Sequence, residues 1–460
     1  MTLSRRQLVR MCAAGLIPAS YVRAAEVTKK NMIVRSVRPQ DLEMPLDGFS
    51  DFITPVERFF VRTHDYTPNV DLNSWKLSVE GEVHSPLTLA MDDLKRLPRV
   101  ELVGVLECAG NGRSHYQPHV PGTQWSFGSV GNGRWAGARL ADVLRRAGLK
   151  DSARQILFDG VDVPVGKMPD FQRTITVKKA LDANTLLAFE MNGQRLPVQH
   201  GFPLRLIVPG WAGDSWVKWV QTIRVLDRDF DGFWMKTGYR RPEQPVAPGS
   251  AVDPAKMRPV TSLKVKSVIA TPLDGAGALA GQPLTISGAA WSGDSGPVSA
   301  VEVSVDGGRS WRAAGLPGEH SQYGWRLWRY RWTPPAEGYY NVMARAYNSA
   351  RETQPLVEEW NPSGYQWNVV QRVGVNVTPA APSLQPAVAQ ADGPIDDYPA
   401  GYQAACHACH GQDMIRQQRL TRAQWEREVN KMAGWGAQVK PEERTGILKY
   451  LAGHFTQDWH

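Results

Sequence analysis

Cys406, Cys409 and His410 stand in the order C-x-x-C-H, the spacing that attaches a c-type haem. Two thiols so placed can form thioethers with the vinyl groups while the adjacent imidazole reaches the iron. The segment around them is about 65 residues long, too small to bury a stable core alone, and a haem supplies the missing apolar centre. A zinc site would need further cysteines, which the segment lacks. One motif predicts one haem. Met432 is the candidate for the opposite axial position, because it shares an apolar stripe with Trp425 and Val429, and a His/Met pair raises the potential as an electron acceptor requires. Met414 follows the motif too closely to cross easily to the other face.

Cys108 is the second chemical candidate. Val103 to Leu106 reads as a strand that runs into Glu107-Cys108-Ala109-Gly110-Asn111-Gly112-Arg113. A lone cysteine on a glycine-rich loop beside an arginine is accessible and sits in a positive field, conditions that favour thiolate. An inert buried cysteine is the plainer reading of composition alone. The chain has only four cysteines; with Cys12 in the leader and two in the haem motif, Cys108 has no disulfide partner.

The leader is read from Ser4-Arg5-Arg6-Gln7-Leu8, the apolar run from Met11 to Ala19, and the small residues before Glu26. This is a removable signal spanning 1–25, and the paired arginines point to the twin-arginine route, which exports folded proteins to the periplasm. The formal charge is +8, but four arginines leave with the leader. The remainder is too mild to argue for nucleic acid, and no later run reaches membrane-span length.

These groups must be positioned by the intervening chain. An irregular stretch to about residue 54 precedes a mixed region. There Trp75 to Val79 alternates as a strand, Gly137 to Leu149 has the period of an amphipathic helix, and Leu186 to Glu190 with Asn192-Gly193 reads as a hairpin. Leu204 to Val208 is a short apolar strand. This α+β domain covers 26–255 and ends among Pro242, Pro245, Pro248 and Pro254. From 256 to 378 short strands alternate with turns in the manner of an immunoglobulin-like β-sandwich. Residues 379–393 are a Pro/Ala/Gln linker, and 394–460 form a small all-α cytochrome c domain. There, Thr421 and Gln424 frame a capping box, and Pro441 with Glu442 and Glu443 opens a last helix burying Leu448 and Leu451.

Several separated motifs carry a resemblance across about residues 50–375. They are Phe59-Phe-Val-Arg-Thr-His64, the Cys108 loop, Phe189-Glu-Met-Asn-Gly-Gln194, His200-Gly-Phe-Pro-Leu-Arg205 and Val217-Lys-Trp219, with Trp234 and Tyr239 beyond. In this order they resemble the sulfite oxidase family of molybdopterin enzymes. The resemblance implies that Cys108 is the protein thiolate on molybdenum, a soft ligand for a soft site. It implies that Arg62, Arg113 and Tyr239 surround the substrate, and guanidinium forks do suit oxyanions. It further implies that His64, His200, Arg205 and Lys218 hold the pterin and its phosphate, and that the sandwich makes a homodimer.

One departure matters. Sulfite-oxidising members carry an arginine in a Trp-Asn-x-Arg-Gly pattern, where this chain has Trp360-Asn361-Pro362-Ser363-Gly364. Ser363 resembles instead the sulfane dehydrogenase molybdenum subunit, whose substrate is sulfur carried on a partner protein. The expected function is molybdenum-dependent oxidation of sulfite or carrier-bound sulfane sulfur, with oxygen from water and electrons passed through the haem to an external c-type cytochrome. A molybdopterin reductase of an oxyanion or sulfoxide is the enzymatic alternative. An electron-transfer cytochrome with a docking front half is the non-enzymatic one.

Overall fold

The computed structural model describes residues 26–379 and 397–457. The expected leader and almost all of the expected linker therefore lie outside the described residues.

The chain opens with a hairpin, β1 (Ile33–Val37) and β2 (Gln40–Glu43), where the sequence predicts irregular structure. The reason is visible in its side chains. Ile33, Val34 and Val37 are exposed, whereas Asp41 and Glu43 are fully buried, so inside-outside alternation by hydrophobicity is inverted.

Two sheets follow, the first antiparallel and the second mixed. In the first, β5 (Arg99–Glu107), β6 (Val130–Arg139), β9 (Leu186–Met191) and β10 (Gln194–Arg195) lie side by side and antiparallel, with β11 (Arg205–Ile207) also on β9. In the second, β3 (Leu77–Gly81) and β4 (Leu87–Leu89) join β7 (Gln155–Gly160) and β8 (Arg173–Thr176) through β12 (Val220–Leu226), which runs parallel to β3. The helix α1 (Leu140–Ala147) buries Leu140, Val143, Leu144 and Ala147, the stripe that its period predicts. It starts later than expected because residues 137–139 complete β6 against β9. It stops at Gly148, which takes φ +70° as the residue that terminates a helix there. Trp75 is buried just ahead of β3 rather than within it. A shared core of Leu77, Trp135, Val143, Phe158, Leu206 and Ile223 holds the two sheets together.

A short antiparallel pair, β13 (Arg240–Pro242) and β14 (Met257–Pro259), brackets the expected boundary at 255. Beyond it, β15 (Lys266–Thr271), β17 (Leu284–Trp291) and β20 (Arg326–Trp332) form one sheet. The other contains β16 (Ala276–Leu279), β18 (Val298–Ser304), β19 (Arg312–Ala313), β21 (Gly338–Asn348) and β22 (Gln371–Thr378). Ile269, Ile286 and Trp328 from the first face Val301, Val342 and Val373 from the second, which is sandwich packing.

The C-terminal unit comprises α2 (Tyr402–Cys406), α3 (Gln412–Arg416), α4 (Arg422–Gly434) and α5 (Pro441–His454). The Thr421/Gln424 capping box is formed, with Thr421 N donating to Gln424 Oε1 at 2.8 Å and Gln424 N to Thr421 Oγ1 at 3.3 Å. Leu448 and Leu451 are buried as expected, in a small core with Tyr402, Trp425 and Ile447. No helix among the described residues is long and apolar enough to cross a membrane.

Candidate active site

Strand β5 is exposed at its start and buried at its end, so it carries the chain from the surface into the centre and delivers Cys108 there. The loop is fixed on both sides of the thiol. Cys108 N donates to Ser129 O at 2.9 Å. Glu107, almost fully buried, accepts from Lys266 Nζ at 2.6 Å, Trp291 Nε1 at 2.8 Å and Asn111 Nδ2 at 2.9 Å. Lys266 and Trp291 belong to the sandwich, so the cysteine loop is clamped between domains. The sequence suggested a thiol poised as thiolate. Burial instead pushes it up to about 11, outweighing the Gly110 amide and the Arg62 and Arg113 guanidinia that pull the other way. Only a bound cation would make this thiol a permanent anion.

Arg113 lies in a slot made of glycine. A Cβ on Gly110 or Gly122 would fall 2.8 Å or 2.7 Å from its guanidinium, and one on Gly364 would fall 2.9 Å from its Nε. Its polar contacts are neutral: Thr123 O at 3.1 Å and Ser363 O at 3.3 Å, with the ring of Tyr365 beneath it at 5.0 Å. Among the described residues it pairs with no carboxylate, and its Nε has no acceptor. Arg62 enters from the loop after residue 61 and is anchored by Asp41 at 3.3 Å and by the Thr63 carbonyl. Burial opposes the Arg62 charge, but Asp41, Tyr239 and Cys108 together hold the guanidinium above its usual range.

Tyr239 completes the wall. Its hydroxyl meets His64 Nε2 at 2.7 Å, and its ring stacks on Tyr365 at 5.2 Å with 14° between planes. Its backbone takes φ +51°, a left-handed conformation that costs energy for a bulky residue and is held by the Tyr239 O to Val260 N bond at 2.8 Å. Burial raises the phenol well above its ordinary range, and burial with Arg62 and Lys218 nearby depresses His64. Both are therefore neutral, and His64 is pinned against Phe171 at 4.2 Å.

Behind this chamber lies a second one. His64, His200, Arg205 and Lys218 line it with Arg62 and Cys108. Arg205 donates to His200 O at 2.9 Å and leaves its buried Nε unused; burial alone lowers it to about 9. Lys218 donates to Arg62 O at 3.0 Å and to Thr63 Oγ1 and Gln199 O, each at 3.3 Å. Burial lowers it well below its ordinary value. Such cations are costly to bury, and Asp162 and Asp41 near Lys218 offset only part of that cost. A cluster satisfied by carbonyls fits an anionic group such as a pterin phosphate.

The expected haem residues also come together. Cys406, Cys409 and His410 line a cavity of about 350 Å³ with Trp425, Val429 and Leu451. Neither thiol is in a disulfide, and His410 Nδ1 lies 3.2 Å from Gly411 O, which orients the ring and leaves Nε2 free to bind a metal. Two thiols and an imidazole facing a largely apolar space suit a haem. Met432 lines this cavity as expected. Met414 does too, although the sequence reading set it apart; its sulfur lies 3.9 Å from Thr123 Oγ1, at the join with the first domain. The same cavity runs on to Arg62, Cys108, Arg113 and Tyr239.

Sequence reasoning missed Asp41, Tyr365 and Lys29. Tyr365 follows Ser363 closely and was within reach: Asn361 ties the loop by accepting from Tyr365 N at 3.2 Å and donating to Tyr365 O at 3.0 Å. Lys29 lies 2.7 Å from His200 Nε2 and donates to Val56 O and Phe59 O, a placement no local pattern announces.

Residues 64–234 match the model of the oxidoreductase molybdopterin binding domain, and residues 257–378 that of the Mo-co oxidoreductase dimerisation domain. Mitochondrial sulfite oxidase of Mus musculus is 37% identical over 362 residues, covering 75% of this chain and 66% of that protein. This chain thus spans just under two thirds of the length of that mammalian relative. Sulfite oxidase of Gallus gallus is 34% identical over 346 residues, covering 72% of this chain and 75% of the other. Among solved structures, the sulfane dehydrogenase SoxCD from Paracoccus pantotrophus superposes with a TM-score of 0.64 at 27% identity, covering 78% of this chain and 90% of the other.

Proposed function

The chain belongs to the sulfite oxidase family of molybdopterin oxidoreductases, and from that premise we propose that it oxidises an inorganic sulfur compound and passes the electrons through an attached c-type haem. The observation that carries the reading is the buried set of cations around one thiol, in which Arg113, Arg205 and Lys218 hydrogen-bond to neutral carbonyls and Arg62 pairs with the carboxylate of Asp41. Cys108 would hold molybdenum, with His64, His200, Arg205 and Lys218 around the pterin. Cys406, Cys409 and His410 would hold the haem, with Met432 as the candidate for the opposite face.

When bound, molybdopterin supplies two-electron redox chemistry, and the haem accepts those electrons singly. For sulfite the balance is sulfite and water giving sulfate, two protons and two electrons. The chain's share is positioning and charge. Arg62 and Arg113 offer paired donors to an oxyanion, and burial makes those bonds strong. With His64 and Tyr239 both neutral, an anion in the chamber favours one direction of their hydrogen bond. His64 Nε2–H then donates to Tyr239 Oη, and the phenolic proton turns toward the anion. Asp41 fixes Arg62, while the three glycines and Thr123 fix Arg113, so little reorganisation accompanies binding.

The same reading includes export to the periplasm by the twin-arginine route, supported by Arg5 and Arg6, and an external c-type cytochrome as final acceptor. The dimerisation-domain match supports a homodimer. The test mixes oxidised, metal-analysed protein with sulfite and follows the haem absorbance. Molybdenum and iron in equal amounts with rapid haem reduction are expected. Cys108→Ser should fold, keep the haem spectrum and lose turnover by about 10⁴-fold or more. Iron without molybdenum, or full turnover in that variant, would refute the reading.

A further inference from the structure

The chamber that holds Arg62, Cys108, Arg113 and Tyr239 is not closed by its own domain. Met414, Gln418 and Trp435 of the C-terminal unit line the same cavity. That unit is seated by bonds of unusual kind. The buried amide of Gln418 donates to Gly122 O at 3.0 Å and accepts from Gly122 N at 3.3 Å, pairing with backbone as a neighbouring strand would. Gln417 accepts from Gln124 N and donates to Arg35 O, each at 2.8 Å. Asp413 accepts from Val37 N at 2.7 Å, and Gly411 N donates to Arg38 O at 3.0 Å. At the far side Lys167 N donates to Trp435 O at 2.9 Å, with the indole 5.7 Å from Phe233.

The loop gripped by these glutamines is the one that sets the anion site. Gly122 lies under the Arg113 guanidinium, Thr123 O accepts from it, and Thr123 Oγ1 bonds Asp41 at 3.0 Å. Docking and anion binding therefore share one loop.

Taking the sulfur-oxidation reading as given, we propose that the C-terminal unit is a fixed wall of the anion chamber, so that the substrate is a small free sulfur oxyanion and sulfur carried on a polypeptide is shut out. A polypeptide must bring its own backbone up to Arg113, through space that Met414, Gln418 and Trp435 occupy. It binds only when the unit has left, and an undocked state populated at about 1% lowers its apparent affinity about 100-fold. A free oxyanion carries no such penalty. Gln417 and Gln418 act as positioning residues, through the 122–124 loop.

The test compares the molybdenum-loaded full chain with Arg38→Ala/Asp413→Ala, which removes the Arg38 bond to His407 O and the bond from Val37 N to Asp413, two outer contacts that touch neither the chamber nor the 122–124 loop. Sulfite and a short cysteine-persulfide peptide are each oxidised with ferricyanide as acceptor, Cys108→Ser serving as blank, and amide exchange at Gly122 and Gln124 reports docking. The native chain is expected to favour sulfite by about 100-fold in kcat/KM. The variant should exchange faster at both amides and narrow that preference by about tenfold or more. Native turnover of the peptide on a par with sulfite would overturn the proposal. So would unchanged exchange in the variant, or faster exchange with an unchanged preference. Oxidation of neither substrate by loaded native protein is a different result: it removes the sulfur-oxidation reading itself, and the wall's role in selection falls with it.

Discussion

Two halves of one cavity are built on opposite principles. The half around Cys108 is assembled from far-separated residues: His64 meets Tyr239 across 175 positions, and Arg113 meets Ser363 across 250. Its walls carry charge, and sheets, sandwich and glycine slots hold that charge in place. The half around His410 draws its reactive groups from five consecutive residues, lined by apolar side chains of four short helices. The first half can hold its shape through its own long-range framework. The second has little beyond its contents and its docking face, since about 60 residues bury too little surface alone.

The largest expected effect tests that asymmetry. Cys406→Ala/Cys409→Ala should abolish the haem absorbance and strip residues 397–457 of helical protection in hydrogen exchange, while residues 77–226 stay protected. Equal loss in both regions would mean that the first half also leans on the second. Next in size is Lys266→Met. It leaves Glu107 buried without its cation, and breaking one partner of such a pair costs about 3–5 kcal/mol. Denaturant unfolding should show that loss, whereas Arg99→Met, which removes an exposed partner of Glu101 and Glu190, should cost under about 1 kcal/mol.

The same asymmetry decided what could be read from the sequence. Cys406, Cys409 and His410 announce themselves because their chemistry is local, and helix 140–147 because its period is. The sandwich strands were legible from alternation. Asp41 was not, since a buried carboxylate in a strand inverts the pattern that marks strands. Tyr365 and Lys29 serve the site through tertiary packing alone. Resemblance marked Cys108 as a ligand, while its local setting suggested a thiolate that burial in fact opposes.

Tyr239→Phe is the next smaller test. It keeps the stack on Tyr365 and deletes the hydroxyl that His64 touches. Loss of one buried donor to an anion should lower kcat/KM for sulfite by about 10- to 100-fold, with haem reduction by dithionite unchanged. An equal effect on both would place the defect outside the anion chamber.

The smallest expected effect concerns His115, which packs between Phe127 at 4.5 Å and Trp367 at 4.8 Å, two residues from Arg113. Burial, with Lys266 adding to it, lowers this imidazole to about 4, against an ordinary 6.5. Glu43 pulls the other way, while Arg35 and His119 reinforce the lowering. Between those values the unfolded chain takes up a proton that the folded chain refuses. His115 therefore contributes stability that is present above about pH 6.5 and is lost as the pH falls toward 4. Between pH 7 and pH 5.5 the loss is about 1 kcal/mol. His115→Phe keeps an aromatic ring in the stack and cannot titrate, so the stability difference between native chain and variant should shift by that amount across this interval. A difference that stays constant with pH would show that the imidazole takes up its proton alike in the folded and unfolded chain, and that this part of the first half tolerates charge as readily as water does.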